Sequence, residues 1–152
     1  VILLKTVRMH KIRPENYDMQ RKDAVALERL TSSKYVTDIY SFCGQSALNE
    51  MANMKKTFSE VLGLQLSARN YRKRLVTPRM KLIFARDAAA ALADVHNIDG
   101  ERNATLVHRD ISAANFLLSP NGKSLLLSDF NSCRFLKRNV TNGDSCGFRR
   151  PA

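Results

Sequence analysis

The order of apolar and polar residues predicts that the first third of the chain is mostly sheet. The opening run VILLKTVRM is typical of a buried strand that becomes polar, and HKIRPENY after it indicates a loop that contains Pro14. Apolar residues at helical spacing then predict a short amphipathic helix over Arg21–Leu30. The runs KYVTDIYSF and SALNEMA, separated by CGQ, predict two strands joined by a turn at Gly44.

The middle of the chain is predicted to be helical. KKTFSEVLGL suggests a weak helix, and the basic stretch after it indicates a loop. Thr77 is suited to cap a second helix, with Pro78 at its first position and its end near Asn97. The residues predicted to form its buried face are Met80, Phe84, Ala88, Ala91, Leu92 and Val95.

A β-hairpin is predicted next, and then a loop. FLLSPNGKSLLLSD has two apolar runs around Asn121 and Gly122, a pair that favours a tight turn with positive φ at both positions. The tail from Asn131 to Ala152 has no periodicity and is predicted to be loop. Strands, helices and a hairpin in this order indicate an α+β fold.

Composition narrows the class of protein. The 44% hydrophobic and 26% charged residues are typical of a soluble globular chain, and no apolar run is long enough to cross a membrane. Three cysteines without CxxC spacing favour a reducing, cytoplasmic setting. The net charge of +11 is concentrated partly in Arg69–Arg74, which is either a solvated basic loop or a binding patch. Tyr71 is the only aromatic residue in that cluster, and nucleic-acid proteins usually combine basic residues with several stacking aromatic residues. The sequence therefore gives only weak support for nucleic-acid binding.

Three polar residues have the chemistry of a phosphate-transfer site. Asp110 follows a short apolar run, Asn115 lies at the start of the hairpin, and Asp129 at its end. Because paired strands lie about 4.8 Å apart, Asn115 and Asp129 are expected to converge. One carboxylate and one amide oxygen suit Mg²⁺, while Asp110 is free to accept a proton from an incoming hydroxyl.

These residues occur within motifs that resemble those of eukaryotic protein kinases. HRDISAAN, residues 108–115, resembles the HRDxxxxN catalytic loop, and Asp129-Phe130-Asn131 resembles the Asp-Phe-Gly motif with its glycine changed. The resemblance implies a kinase that transfers phosphate from ATP with Mg²⁺. Asp110 would act as base, Asn115 and Asp129 would bind metal, and Lys5 would hold the phosphates.

The resemblance also implies where adenine binds and how the chain is divided. Backbone groups of Glu50 and Ala52 would bond adenine, Asn49 would be the gatekeeper, and Leu117 would form the floor of the pocket. Residues 1–52 would be a partial small lobe with the hinge, and residues 53–152 a partial large lobe with the catalytic loop and activation segment. Such a partial bilobal fold would need the remainder of the kinase domain, and its uncovered core surface would make this stretch unstable or prone to aggregate.

Two acidic residues are alternatives for the partner of Lys5. Kinases pair this lysine with a glutamate on the small-lobe helix. Asp23 stands 18 residues after Lys5 and Glu28 stands 23 after it. The spacing favours Asp23, although aspartate is one methylene shorter than the usual glutamate.

Two positions near Asp110 depart from the family pattern. Ser112 and Ala114 stand where kinases carry a lysine or arginine that contacts the γ-phosphate. Losing such a group costs about 3 to 4 kcal/mol, or roughly 10² to 10³ in rate, unless another cation substitutes. The sequence therefore predicts a protein kinase of unresolved serine/threonine or tyrosine preference, with a pseudokinase that signals by binding, or a kinase-like small-molecule phosphotransferase, as alternatives.

The loop after the Asp-Phe-Asn motif offers a further expectation. Arg109 resembles the residue that docks a phosphorylated activation loop, and Thr141 and Ser145 lie in that loop. A phosphate there would pair with Arg109, whereas ordinary loop polarity explains both hydroxyls equally well. His108 is expected to support the loop by packing and hydrogen bonding. Arg150-Pro151-Ala152 resembles a degenerate Ala-Pro-Glu motif at the end of the segment.

Overall fold

The computed structural model describes residues 2–7, 13–52, 58–61, 76–100, 103–144 and 146. Their helices and small antiparallel sheets make a mixed α+β fold, as the sequence pattern predicts. The described residues do not include the predicted basic stretch Arg69–Arg74, the hydroxyl of Ser145 or the closing motif at residues 150–152. In the ranges that are described, no helix is both long and apolar enough to span a membrane.

The first sheet is antiparallel and has three strands, which are β1 (Ile2–Thr6), β2 (Ile39–Cys43) and β3 (Ser46–Glu50). The predicted hairpin is β2 with β3, and Gly44 in its turn has a φ of 58°, which glycine adopts without strain. The prediction that β1 is buried is wrong, because Ile2 and Leu4 are 57% and 61% exposed. Among the described residues β1 pairs only with β3. Ile2 and Leu4 are two residues apart and share one face of the strand, and their side chains on that face remain in solvent.

Helix α1 spans Pro14–Arg29 and begins about two turns earlier than predicted. The prediction of a loop at Pro14 is wrong, because proline fits the first helical position. The N–H it lacks has no helical partner there, and its fixed φ suits a helix. Asp23, Ala24 and Leu27 are buried on one face of the helix. That face packs against the short helical turn that follows Asp129.

Helix α2 spans Pro78–His96 and confirms the predicted start and end. The Thr77 side chain accepts a hydrogen bond from the Met80 N–H at 3.2 Å, which satisfies one of the unpaired donors of the first turn. Phe84, Ala91 and Val95 are buried, as the helical spacing predicts. In the preceding weak helix, residues 58–61 are helical, and the rest of that prediction lies outside the described residues.

Two short antiparallel pairs complete the sheet structure, and they join β4 (Leu106–Val107) to β7 (Arg134–Phe135) and β5 (Phe116–Leu118) to β6 (Leu125–Leu127). The predicted hairpin is β5 with β6, but its connection is the longer loop 119–124. In this loop Gly122 has a φ of 69° and Asn121 does not have the predicted positive φ. Side chains close the loop instead, because Ser119 Oγ accepts from the Ser124 N–H at 3.1 Å and donates to Asn121 Oδ1 at 2.7 Å.

The tail is not entirely loop, and the prediction for its first residues is wrong. A 3₁₀ turn covers Phe130–Ser132, and β7 follows it at Arg134–Phe135. Both elements are too short to produce a periodic pattern in the sequence. Phe130 and Cys133 are buried against the core and hold this part of the tail on α1.

Strand β6 is fixed at both ends. At its last residue, Thr37 N–H donates to Leu127 O at 3.0 Å, and Leu127 N–H donates to Tyr35 O at 2.8 Å. At its first residue, the fully buried Asp87 of α2 accepts from the Leu125 N–H at 3.1 Å. Asp129 follows two residues after this strand. The bonds that fix β6 therefore also limit the movement of the segment that carries Asp129.

Candidate active site

His108 fastens the loop that carries Asp110. Its ring is 2% exposed, its Nδ1 accepts from the Asp110 N–H at 3.3 Å, and its Nε2 lies 3.0 Å from Ser128 O. A single tautomer, protonated on Nε2, satisfies both contacts. The ring also meets Phe130 edge to face, with centroids 4.6 Å apart. The imidazole therefore ties the Asp110 loop to the segment that carries Asp129.

Asn115 links the same two segments through different atoms. Its Nδ2 donates to Asp110 O at 2.8 Å, and this bond assigns Oδ1 as the free acceptor of the amide. Its backbone O accepts from both the N–H and the Oγ of Ser128, each at 2.9 Å. Ser128 was missed in the sequence, although its position directly before Asp129 is a signal that could have identified it. Asn115 is thus held in one orientation by Asp110 and Ser128.

Lys5 pairs with Asp23 and not with Glu28. Lys5 Nζ lies 2.7 Å from Asp23 Oδ2, and Glu28 is exposed on α1. The second oxygen of Asp23 accepts from the Phe130 N–H at 2.7 Å. The Asp23 side chain is only 1% exposed, and an ion pair together with a backbone donor compensates its loss of water.

Asp129 lies on the other side of Lys5. Its Oδ1 is 3.5 Å from Lys5 Nζ and also accepts from Asn131 Nδ2. The carboxylate is 44% exposed, which leaves it accessible to a ligand. Asn131 stands where the Asp-Phe-Gly motif that this stretch resembles has glycine, and its bond to this carboxylate had no signal in the sequence. Lys5 therefore contacts two carboxylates that come from α1 and from the segment after β6.

Two residues of the site have strained backbones. Arg109 has a φ of 71° and Asp129 a φ of 62°, both in the left-handed region that non-glycine residues avoid. Each such residue costs on the order of 1 to 3 kcal/mol. The hydrogen bonds of His108 and the contacts of Asp23 with Lys5 and Phe130 lie next to these two positions and offset that cost.

A cleft of about 180 Å³ opens at this junction. The residues lining it are Leu3, Lys5, Asp23, Leu27, Thr37, Asn49, Glu50, Leu117, Ser128 and Asp129. The structure thus brings six of the predicted residues to one cavity, namely Lys5, Asp23, Asn49, Glu50, Leu117 and Asp129. Asp110, Asn115 and Ala52 lie outside its lining, and the first two are joined to it through Ser128.

Two polar groups beside the cleft are limited in what they offer a ligand. Asn49 is 7% exposed, and within the described structure its Oδ1 is buried and has no hydrogen-bond partner. An unpaired buried acceptor of this kind costs about 1 to 3 kcal/mol. The Glu50 N–H already donates to Asp38 O at 2.8 Å and is not free to bond a ligand.

The candidate metal ligands are few. No group of three or more histidine, cysteine, aspartate or glutamate side chains within the described ranges is arranged to hold an ion. One carboxylate, Asp129, and one amide oxygen, Asn115 Oδ1, are the candidates. This small set suits Mg²⁺ rather than a structural metal, because Mg²⁺ commonly completes its shell with water and phosphate oxygens.

A buried thiol lies behind the Asp23 carboxylate. Cys133 is 1% exposed, and its Sγ contacts the Lys22 carbonyl at 4.0 Å. Burial, helped by the charge of Asp23, raises the pKa of this thiol to about 11. The thiol is therefore neutral at physiological pH and contributes packing to the site rather than nucleophilic chemistry.

Comparison with known proteins assigns the chain to no family. No protein-family model matches the sequence, and no curated protein matches it at a significant level. The function of the site is therefore inferred from the arrangement of its own residues.

Proposed function

We propose that the chain is the ATP-binding and catalytic core of a protein kinase, which transfers the γ-phosphate of ATP to a protein hydroxyl. The supporting observation is the contact of Lys5 Nζ with Asp23 at 2.7 Å and with Asp129 at 3.5 Å. Asp23 and Asp129 are 106 positions apart in sequence (129 − 23). They contact the same lysine because the fold brings these two distant segments together. A cation between a buried carboxylate and an accessible one is suited to hold phosphate beside a metal ion.

In this proposal the fold is a partial bilobal kinase fold. Residues 1–52 form the small-lobe part with the hinge, and residues 53–152 form the large-lobe part. The cleft supports this division, because β1, α1 and β3 line it from the first range while Leu117 and Asp129 line it from the second.

Adenine would lie between the two ranges. Leu117 would form an apolar floor, while backbone groups of Glu50 and Ala52 would bond the edge of the base.

Asn115 and Asp129 would hold Mg²⁺, which when bound neutralises charge on the transferred phosphoryl group. The hydrogen bond from Asn115 Nδ2 to Asp110 O directs the remaining amide oxygen to serve as ligand. Lys5 would bind phosphate oxygens, and its pairing with Asp23 would keep the ammonium group in position. These groups orient substrate and stabilise charge, which is most of what phosphoryl transfer requires.

Asp110 would orient the incoming hydroxyl and accept its proton. The side chain is exposed, and its backbone is fixed through His108 and Asn115. Ser112 and Ala114 nearby carry no charge. We therefore expect transfer to be roughly 10² to 10³ slower than with a cation at one of these positions.

The same two uncharged residues favour a second candidate, a pseudokinase that binds nucleotide and signals without transfer. Its binding site would be the same cleft, with Lys5 and Asp129 in the same roles. The two candidates differ only in the reaction at Asp110. ATP, the remainder of the domain and a protein substrate are the proposed partners, and the cytoplasm is the proposed location.

Nucleotide binding tests what the two candidates share. A fluorescent ATP analogue is titrated into the longest natural protein that contains the chain, with and without Mg²⁺, and into its Lys5→Met variant. We expect Mg²⁺-dependent binding that Lys5→Met weakens about tenfold or more, because a charge-assisted contact with phosphate is lost.

Lys123→Met is the matched control, because Lys123 is an exposed lysine on the loop between β5 and β6. It removes the same charge and should bind the analogue like the unaltered chain. Equal weakening by both variants would reduce the effect to net charge, and absent binding in the longest natural protein that contains the chain would refute the proposal.

A further inference from the structure

A second cavity, about 380 Å³ in volume, lies between α1 and β7, and we call it the α1–β7 groove. Its lining residues are Asp18, Arg21, Lys22, Val25, Arg134, Phe135 and Lys137. None of these residues lines the nucleotide cleft. The groove is therefore a separate cavity from the proposed nucleotide site.

The groove is strongly basic. Four of its side chains are cationic and one, Asp18, is anionic. Asp18 is already paired with Lys22 on the same helix. Within the described ranges, no ion pair reaches Arg134 or Lys137 from any carboxylate. Cations held close together without counter-charges create a potential that attracts an anionic partner.

The apolar residues that line the groove, Val25 and Phe135, favour a peptide ligand over a nucleic acid. Single-stranded nucleic acid binds by stacking its bases on aromatic faces. Phe135 is the one aromatic residue in the lining, and the Arg29 guanidinium already lies 5.7 Å from its ring centroid. Val25 adds an aliphatic surface that suits an apolar side chain.

We propose that the α1–β7 groove binds an acidic peptide segment of a partner protein, with carboxylates on its cationic walls and an apolar side chain against Val25 and Phe135. Electrostatic complementarity of this kind sets specificity and the rate of encounter. The groove volume of about 380 Å³ admits a few side chains, which corresponds to a short linear segment rather than a folded surface.

Occupancy of the groove would act on the nucleotide cleft, a consequence that rests on the proposed function. Lys22 on one wall directly precedes Asp23, and Arg134 on the other lies five residues after Asp129. A peptide that bridges the walls would hold α1 against this segment and thereby preserve the contact of Asp23 with Lys5 and Phe130. By linkage, bound nucleotide would tighten peptide binding by the same factor.

The test measures fluorescence anisotropy of a labelled peptide of alternating glutamate and leucine, first without nucleotide. Arg21→Glu combined with Lys137→Glu reverses one exposed charge on each wall. The control combines Arg79→Glu with Lys123→Glu, two exposed cations outside the groove that change net charge equally. We expect the groove variant to weaken binding about tenfold or more and the control to change it less than about threefold.

Three results would overturn the proposal. Equal weakening by both double variants would assign binding to net charge, and equal binding of a peptide with glutamine in place of glutamate would remove the role of charge. Tighter binding of a single-stranded oligonucleotide of equal charge would assign the groove to nucleic acid.

In a second experiment, the ATP-analogue titration is repeated with saturating peptide. We expect nucleotide to bind more tightly than in the absence of peptide. Peptide binding without any nucleotide binding would refute the proposed function alone. Nucleotide binding without peptide binding would refute the groove alone. Thermal unfolding of each variant checks that the charge reversals leave the fold intact.

Discussion

Replacing Asp23 with alanine removes both contacts of a buried carboxylate. Lys5 loses an ion-pair partner at 2.7 Å, and the Phe130 N–H loses its acceptor at 2.7 Å. Phe130 is fully buried, and its N–H would have no access to water as a substitute. We expect this variant to be less stable and to bind nucleotide more weakly than the unaltered chain.

The buried N–H dominates the expected loss of stability. An unsatisfied buried donor costs about 1 to 3 kcal/mol. The Lys5 side chain is 27% exposed, and water replaces much of its lost partner, which limits that contribution to about 1 kcal/mol. Alanine recovers about 0.5 kcal/mol through its higher helix propensity. The net loss is therefore about 1.5 to 3.5 kcal/mol, a large part of a typical stability of about 5 to 15 kcal/mol.

Urea unfolding separates the two contributions. Asp23→Asn keeps an oxygen that can accept from Phe130 but removes the charge, and we expect it to lose only about 1 kcal/mol. Glu28→Ala changes an exposed acid on the same helix and should shift stability by less than about 0.5 kcal/mol. If Asp23→Ala loses no more stability than Glu28→Ala, the reasoning about the buried Phe130 N–H is wrong.

Two further predictions concern buried polar groups. Asp87→Ala should lower the free energy of unfolding by about 1 to 3 kcal/mol in urea, because the buried Leu125 N–H loses its acceptor. Cys133 should resist alkylation at pH 8 while the two exposed thiols react, since burial raises its pKa to about 11. Because this thiol ionises at about 9.0 when unfolded, its contribution to stability should be lost as pH rises from about 9 to about 11, and a stability profile that stays flat there would contradict the assignment.

Short sequence motifs predicted the elements whose ends are set by residues near in sequence. The cap at Thr77 and the proline at position 78 fixed the start of α2, because they satisfy or remove donors of the first turn. The turn at Gly44 was equally local. At Pro14 the same proline rule applied, but the polar residues around it carried no apolar period to indicate a helix.

Long-range contacts could be predicted only in part. Spacing favoured Asp23 over Glu28 as the partner of Lys5, and the structure has that pair. The second contact of Asp23, with the Phe130 N–H, is made by a backbone group that has no sequence signature. The exposure of the β1 side chains likewise depends on what packs on the faces of its sheet, and apolar content alone does not report this.

Phosphate transfer tests the central claim most directly. The longest natural protein that contains the chain is incubated with Mg²⁺ and ATP labelled on the γ-phosphate, and label on a protein acceptor is compared for the unaltered protein and Asp110→Asn. Glu28→Gln, an exposed acid on α1, is the control. We expect transfer that Asp110→Asn lowers by about 10² to 10⁴ and that Glu28→Gln leaves unchanged. Nucleotide binding with no transfer, or transfer that Asp110→Asn leaves intact, would contradict the account.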